Sequence, residues 1–274
     1  MIKPNSSRGG WRKIVLRRRA VFFILSIALQ VVMVCVFRIM TGDRSYANSV
    51  QYRNGDWIVT GTELVENTTI ILNGNLTVES GGSLSLRNVI LHMGQSPSGA
   101  YQILANPGSS LIISKSTIEP LEEGYQFGIS VKSANFALTD STLNGPGIPP
   151  SIYALWISDT NGATVERNTI NYANSITLAS STNSIIRDNT ITSVGPDFPT
   201  TAIWLMDSHN NTITNNRLYR HSVSIWVENS WDNYIAYNEV TMSRNVNGIN
   251  IISSSGNNVV AYNQISMHQG YEGG

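Results

Sequence analysis

Three tryptophans recur in one short frame, an indole flanked by two aliphatic residues: Leu155-Trp156-Ile157, Ile203-Trp204-Leu205 and Ile225-Trp226-Val227. Ile176-Thr177-Leu178 and Ile249-Asn250-Ile251 repeat the frame with a polar centre, and Ser130 falls in the same series. Side chains alternate along a strand, so the aliphatics face inward and the central residues form an outward column. A flat indole offers a stacking platform to the apolar face of a sugar ring, and its N–H offers a donor. Large exposed aromatics mark binding surfaces. Strands one or two coils apart would hold such rings roughly 5 to 10 Å apart, commensurate with the units of a glycan. Trp156, Trp204, Trp226, Thr177 and Asn250 are therefore the expected carbohydrate contacts. The bland alternative is that loops fold over these rings and make them a satellite core.

Catalytic groups are sparser. Glycoside hydrolysis needs two carboxyl groups about 5 to 10 Å apart. The outward column holds no acid, but Asp197, Asp207, Glu228 and Asp232 lie close to it in sequence, with Glu122 and Glu123 on an earlier loop. Asp207 and Glu228 each follow a tryptophan strand, which predicts that they are neighbours on adjacent coils. Arg220, His221 and Arg244 fall on the same loop side. Each of these charges, taken alone, also reads as a solvated loop residue. The histidines, His92, His209, His221 and His268, are not paired at ligand spacing, so no metal site is expected. The one cysteine, Cys35, lies inside an apolar segment, which leaves no disulfide or thiolate site beyond it.

The elements that must position these groups repeat. Asn168, Asn189, Asn216, Asn238 and Asn263 return at steps of 21, 27, 22 and 25 residues, each in the frame apolar, two residues, Asn, one residue, apolar. Self-similarity at this period is the signature of a solenoid. Two short strands meet at a corner, and the corner residue must reverse the chain in a left-handed conformation that Asn tolerates. The recurring asparagines are expected to take that conformation and to hydrogen-bond up the column as an amide ladder. Ser116 and Ser141 continue the series upward, and Asn88 continues it one residue out of frame, giving about eight coils of three strands. Loops of variable length, at 92–101, 119–127, 144–153 and 193–201, cluster at one place in the coil, where solenoids often build binding surfaces.

This pattern resembles the right-handed parallel β-helix repeats of pectate-lyase-like proteins, within the carbohydrate-binding and sugar-hydrolysis repeat set that includes the periplasmic copper-binding, NosD-like proteins. The resemblance spans residues 80–266. It implies an all-β, single-stranded right-handed parallel β-helix. It also implies polysaccharide as partner and, as alternatives to plain binding, a polysaccharide lyase or glycoside hydrolase, or a NosD-like accessory module. A lyase of this kind would need a calcium cluster and a basic proton acceptor.

The start of the chain has different chemistry. Residues 1–19 carry seven basic residues and no acid, and 20–37 are apolar apart from Ser26 and Gln30. Such a run spans roughly 27 Å, close to a bilayer core, and the basic flank predicts a cytoplasmic N-terminus. Residues 20–40 are read as a transmembrane signal-anchor, or as a signal peptide cut after Ala47. Either places the remainder outside the cytoplasm. Up to residue 47 there are nine basic residues and one acid, so the chain totals of 18 each leave nine basic and seventeen acidic residues beyond it, a net charge of about −8. That excludes a nucleic-acid partner, which needs a basic face. Residues 41–55 read as a linker, 56–79 as a cap with the first coil, 80–266 as the β-helix, and 267–274 as an uncapped tail whose edge a subunit or further coils would cover.

Overall fold

The computed structural model describes residues 49–96, 99–122, 127–145, 154–171, 175–193, 200–242 and 247–267. The chain divides into two units, 1–47 and 48–274. The basic segment, the 20–40 membrane segment and the Ala47 cleavage site lie outside the described residues, as do Glu123, Asp197, Arg244 and His268. Among the described residues no helix is long and apolar enough to cross a membrane.

The second unit is a right-handed parallel β-helix. Nine short strands, from Trp57–Val59 to Asn247–Ile252, stack in parallel as a front sheet, one strand per coil. Seventeen more wrap around the other sides. The front sheet is one strand longer than eight corners would give, because Trp57–Val59, assigned to the cap with the first coil, already pairs in register with Leu76–Val78. Within the segment read as linker, Ser49–Asn54 is a strand in parallel register with the end of Thr62–Asn73.

Each coil sends aliphatic side chains inward from three strands. Ile157, Leu178, Leu205 and Val227 form one column, Val165, Ile186, Ile213 and Ile235 a second, and Ile170, Ile191, Leu218 and Val240 a third, all without solvent exposure. β-Branched and leucyl side chains suit a pleated strand with one face buried. No coil could hide its apolar face alone, so each is held by its two neighbours. In the last described coil the matching positions, Ile251, Val260 and Ile265, are 45 %, 41 % and 47 % exposed.

The corner asparagines stack, but they are not the left-handed residues. Positive φ falls one position earlier, at Arg167, Asp188, Asn215, Tyr237 and Tyr262, with φ between 55° and 59°. Reversal at that residue turns the following side chain inward, and an inward amide can bond to two coils at once. Asn189 shows the arrangement. Its Oδ1 accepts from the backbone N–H and the Nδ2 of Asn168, both at 2.9 Å. Its Nδ2 donates to the Val165 carbonyl at 2.9 Å and to Asn216 Oδ1 at 3.0 Å. Buried polar groups need such partners. Ser116 and Ser141 hold the same column with hydroxyls. Asn88 was out of frame because it is itself a left-handed corner residue, stacked on Asn67 through its amide at 2.8 Å, while Val89 points inward.

The coil also has more corners than three strands require. After each front strand from Leu155–Ser158 onward the chain bends twice within five residues, at Asp207–Ser208 and Asn210–Asn211 for example, leaving one outward residue on a short fourth side. Two further internal columns secure these bends. Thr160, Ser181, Ser208, Ser230 and Ser255 form a hydroxyl ladder. Ser184, Asn211, Asn233 and Asn258 form a second amide ladder.

Candidate functional site

The outward column of the front sheet is in register. Ser130, Trp156, Thr177, Trp204, Trp226 and Asn250 follow one another on successive coils. Trp204 and Trp226 lie with ring centroids 6.0 Å apart and planes tilted by 50°. A tilted pair presents a stepped surface and not one flat platform. All three indoles and Asn250 are half-buried. The Trp226 Nε1–H is buried and meets no acceptor among the described residues. A buried donor without a partner costs about 1–3 kcal/mol, so this indole is held in place by its packing and not by a bond at its nitrogen.

Thr177 requires a correction. It is fully buried, and its hydroxyl lies 3.1 Å from that of Ser175. The tryptophans on the coils before and after it, Trp156 and Trp204, outsize it and leave it no surface. It cannot touch a ligand on this face.

The acidic candidates sit at one edge of the column. Asp207 is exposed and Glu228 half-buried, on adjacent coils, and the Asp207 N–H donates to the Glu228 carbonyl at 3.1 Å. They are offset by one position, however: Glu228 is in register with Met206, so Asp207 occupies the bend beyond the strand. Among the described residues no three His, Cys, Asp or Glu side chains gather to hold a metal ion. Arg220 is exposed, with φ at 64°.

His221 is a second correction. It does not belong to a solvent-facing loop but is fully buried, with Nε2 3.3 Å from the Ile191 carbonyl. A carbonyl only accepts, so Nε2 carries the proton. Burial pushes the ring's pKa down to about 4, although the Ile191 bond opposes this, and at neutral pH the imidazole is uncharged. It cannot reach a substrate on the surface.

Two clusters were not visible in the sequence reading. Glu166, nearly buried, accepts from Arg167 at 2.8 Å and from Arg187 at 2.7 Å, and Arg167 also grips Asp140 through two bonds. The Arg187 hydrogen bond holds the Glu166 carboxyl below its ordinary range, followed by that of Arg167. The second cluster is a groove of about 410 Å³ along the amide-ladder corner, lined by Asp188, Asn215, Arg217, Tyr237 and Glu239. The internal ladders did leave a signal, the spacing Ser, two residues, Asn, four residues, Asn at Ser208-Asn211-Asn216, Ser230-Asn233-Asn238 and Ser255-Asn258-Asn263.

Parallel coils, stacked corner amides and a single front sheet carrying its polar and aromatic side chains outward define a β-solenoid protein. The chain belongs to the right-handed β-helix family: the family model described as "Right handed beta helix region" matches residues 127–272, more than half of its length. The match does not resolve a NosD-like branch within that family. Similar solved structures include the periplasmic alginate epimerase AlgG, at 13 % identity and a TM-score of 0.41, covering 77 % of this chain and 76 % of that one. A double mutant of AlgG aligns at 15 % identity and a TM-score of 0.42, covering 79 % and 73 %. No curated protein matches the sequence.

Proposed function

We propose that this β-helix binds polysaccharide along its front sheet, with Trp156, Trp204 and Trp226 as stacking residues and Asn250 as a polar contact. The observation that carries the reading is the register: three indoles on one outward column, two of them 6.0 Å apart. From Trp156 to Trp226 the column climbs three coils, or about 14 Å. That is room for about three sugar units along the coil axis. The β-helix works outside the cytoplasm, exported or held at the membrane through residues 20–40, where free polysaccharide is found. A glycan array probed with the wild-type chain and with Trp204→Ala tests this: retained signals for the variant, or no glycan bound by the wild type, would refute it.

A second reading is favoured by the adjacency of Asp207 and Glu228 at the edge of that column. In it the same face cleaves the glycan it binds, as hydrolase or lyase. Release of reducing ends, or new ultraviolet absorbance from an unsaturated product, would establish it, and Asp207→Ala would then abolish the activity.

A further inference from the structure

We propose that the groove on the amide-ladder corner, away from the front sheet, is a second saccharide subsite that takes a neutral pyranose ring. The groove exists for a simple reason. The left-handed corner residues form an outward column, and in it Asp188, Asn215, Tyr237 and Tyr262 occupy successive coils. Tyr237 and Tyr262 stack face to face, with centroids 5.0 Å apart and planes within 10°. One face of Tyr237 is thus covered by Tyr262, and the opposite face looks down the column to Asn215. Asn215 is too short to continue the stack. A gap of two coil steps, about 10 Å, therefore separates the open face of Tyr237 from Asp188.

That gap has the parts a sugar needs. Tyr237, 52 % exposed, gives an apolar face for the carbon side of a ring. Asp188 and Asn215, both exposed, accept and donate across from it to equatorial hydroxyls. The volume of about 410 Å³ lies in the range of small-molecule clefts. The charges choose the sugar. Arg217 is held by Glu239 at 3.2 Å. Arg187 lies 3.9 Å from Asp188 but bonds Glu166 at 2.7 Å. Two carboxylates, Asp188 and Glu239, line the groove against one guanidinium, Arg217, and the Asp188 contact to Arg187 is long, so a uronate carboxylate there would meet net like charge. A neutral hexose carries no charge to be repelled and can hydrogen-bond to the same carboxylates.

The test uses two variants of the full chain that act oppositely on the gap. Tyr237→Ala removes the platform. Asn215→Tyr fills the space by extending the stack, and the site tolerates it because Tyr237 and Tyr262 take the same left-handed conformation, φ 59° and 56°, as Asn215 at 55°. Both are made on a Trp156→Ala, Trp204→Ala, Trp226→Ala background, so that stacking on the front sheet does not contribute and the outcome is independent of the front-sheet reading. Cellotetraose, chitotetraose and tetramannuronate are titrated while saturation transfer to the sugar protons is followed by NMR. The expected result is binding of at least one neutral probe, weakened about fivefold or more by each variant, with no binding of tetramannuronate at this site. Affinities unchanged in both variants, no neutral probe bound, or tetramannuronate binding lost with Tyr237→Ala would each overturn the proposal.

Discussion

Replacing Asn189 by alanine removes one rung from the corner ladder, and the structure sets the size of the effect. The amide makes four hydrogen bonds, to the Asn168 N–H, the Asn168 Nδ2, the Val165 carbonyl and Asn216 Oδ1. It is 1 % exposed, so water cannot substitute for it. Two of the partners have other bonds to fall back on: Asn168 Nδ2 still reaches the Leu138 carbonyl, and Asn216 Oδ1 still accepts the backbone N–H of residue 189. The Asn168 N–H and the Val165 carbonyl lose the bonds that this amide supplies. Each buried orphan costs about 1–3 kcal/mol, so Asn189→Ala should destabilise by about 2–6 kcal/mol. Asn189→Ser should lose about half as much, because Ser141 already shows that a hydroxyl can accept the N–H of the coil before it, at 3.0 Å. Asn263→Ala should cost about 1 kcal/mol, since that residue is part-buried and tops the ladder. Urea unfolding followed by circular dichroism, with m-values compared, gives all three numbers. Equal losses at Asn189 and Asn263, or a loss under 0.5 kcal/mol at Asn189, would show that the ladder only decorates a stack held by its apolar columns.

Acidification should weaken the β-helix through His221. Its folded pKa lies near 4 against an ordinary 6.5, so the unfolded chain binds the extra proton between those values. Stability is full above 6.5 and falls as pH drops, by about 2 kcal/mol at pH 5. His221→Gln, which keeps a donor for the Ile191 carbonyl, should flatten the midpoint-versus-pH curve from 7.5 to 5, and an unchanged slope would refute the assignment. Glu166→Ala leaves Arg167 and Arg187 facing each other without their shared acceptor, and should cost about 1–2 kcal/mol at pH 7. The Glu166 carboxyl titrates below its ordinary 4.5 in the fold, so its contribution is present above that value and lost below it. The gap between wild type and Glu166→Ala should therefore narrow below pH 4, as read by thermal melts at a series of pH values.

The fold was legible because the coil writes one strong local rule many times. A single asparagine frame located the corners from Ser116 to Asn263, and the alternating triplets around Trp156, Trp204 and Trp226 located the front strands. What failed was fine geometry. Which of two adjacent residues turns left-handed depends on which side chain the interior can satisfy, and the sequence shows both Asn215 and Asn216 as tolerant of the bend. The double bend after the later front strands was missed because its inward hydroxyls, Ser181, Ser208 and Ser230, are common anywhere in such a chain, and only their spacing to the asparagines marks them. For the surface, period-two alternation tells which way a side chain points but not how much its neighbours cover it. Thr177 points outward and is sealed by two indoles. His221 looked like a loop base next to Arg220, yet its ring turns into the core to reach Ile191. The corner groove arises from a short residue, Asn215, beneath a tyrosine, a contrast visible only once the coils are superimposed.

The most direct test of glycan binding on the front sheet is the dependence of affinity on chain length. An oligosaccharide series drawn from an array hit, from two to six units, should bind more tightly with each unit until the run from Trp156 to Trp226 is covered, at about three units, and then level off. Trp226→Ala should remove the last step of that rise and leave the earlier ones. Affinity independent of length, or a length dependence that Trp156→Ala, Trp204→Ala and Trp226→Ala all leave intact, would contradict the account.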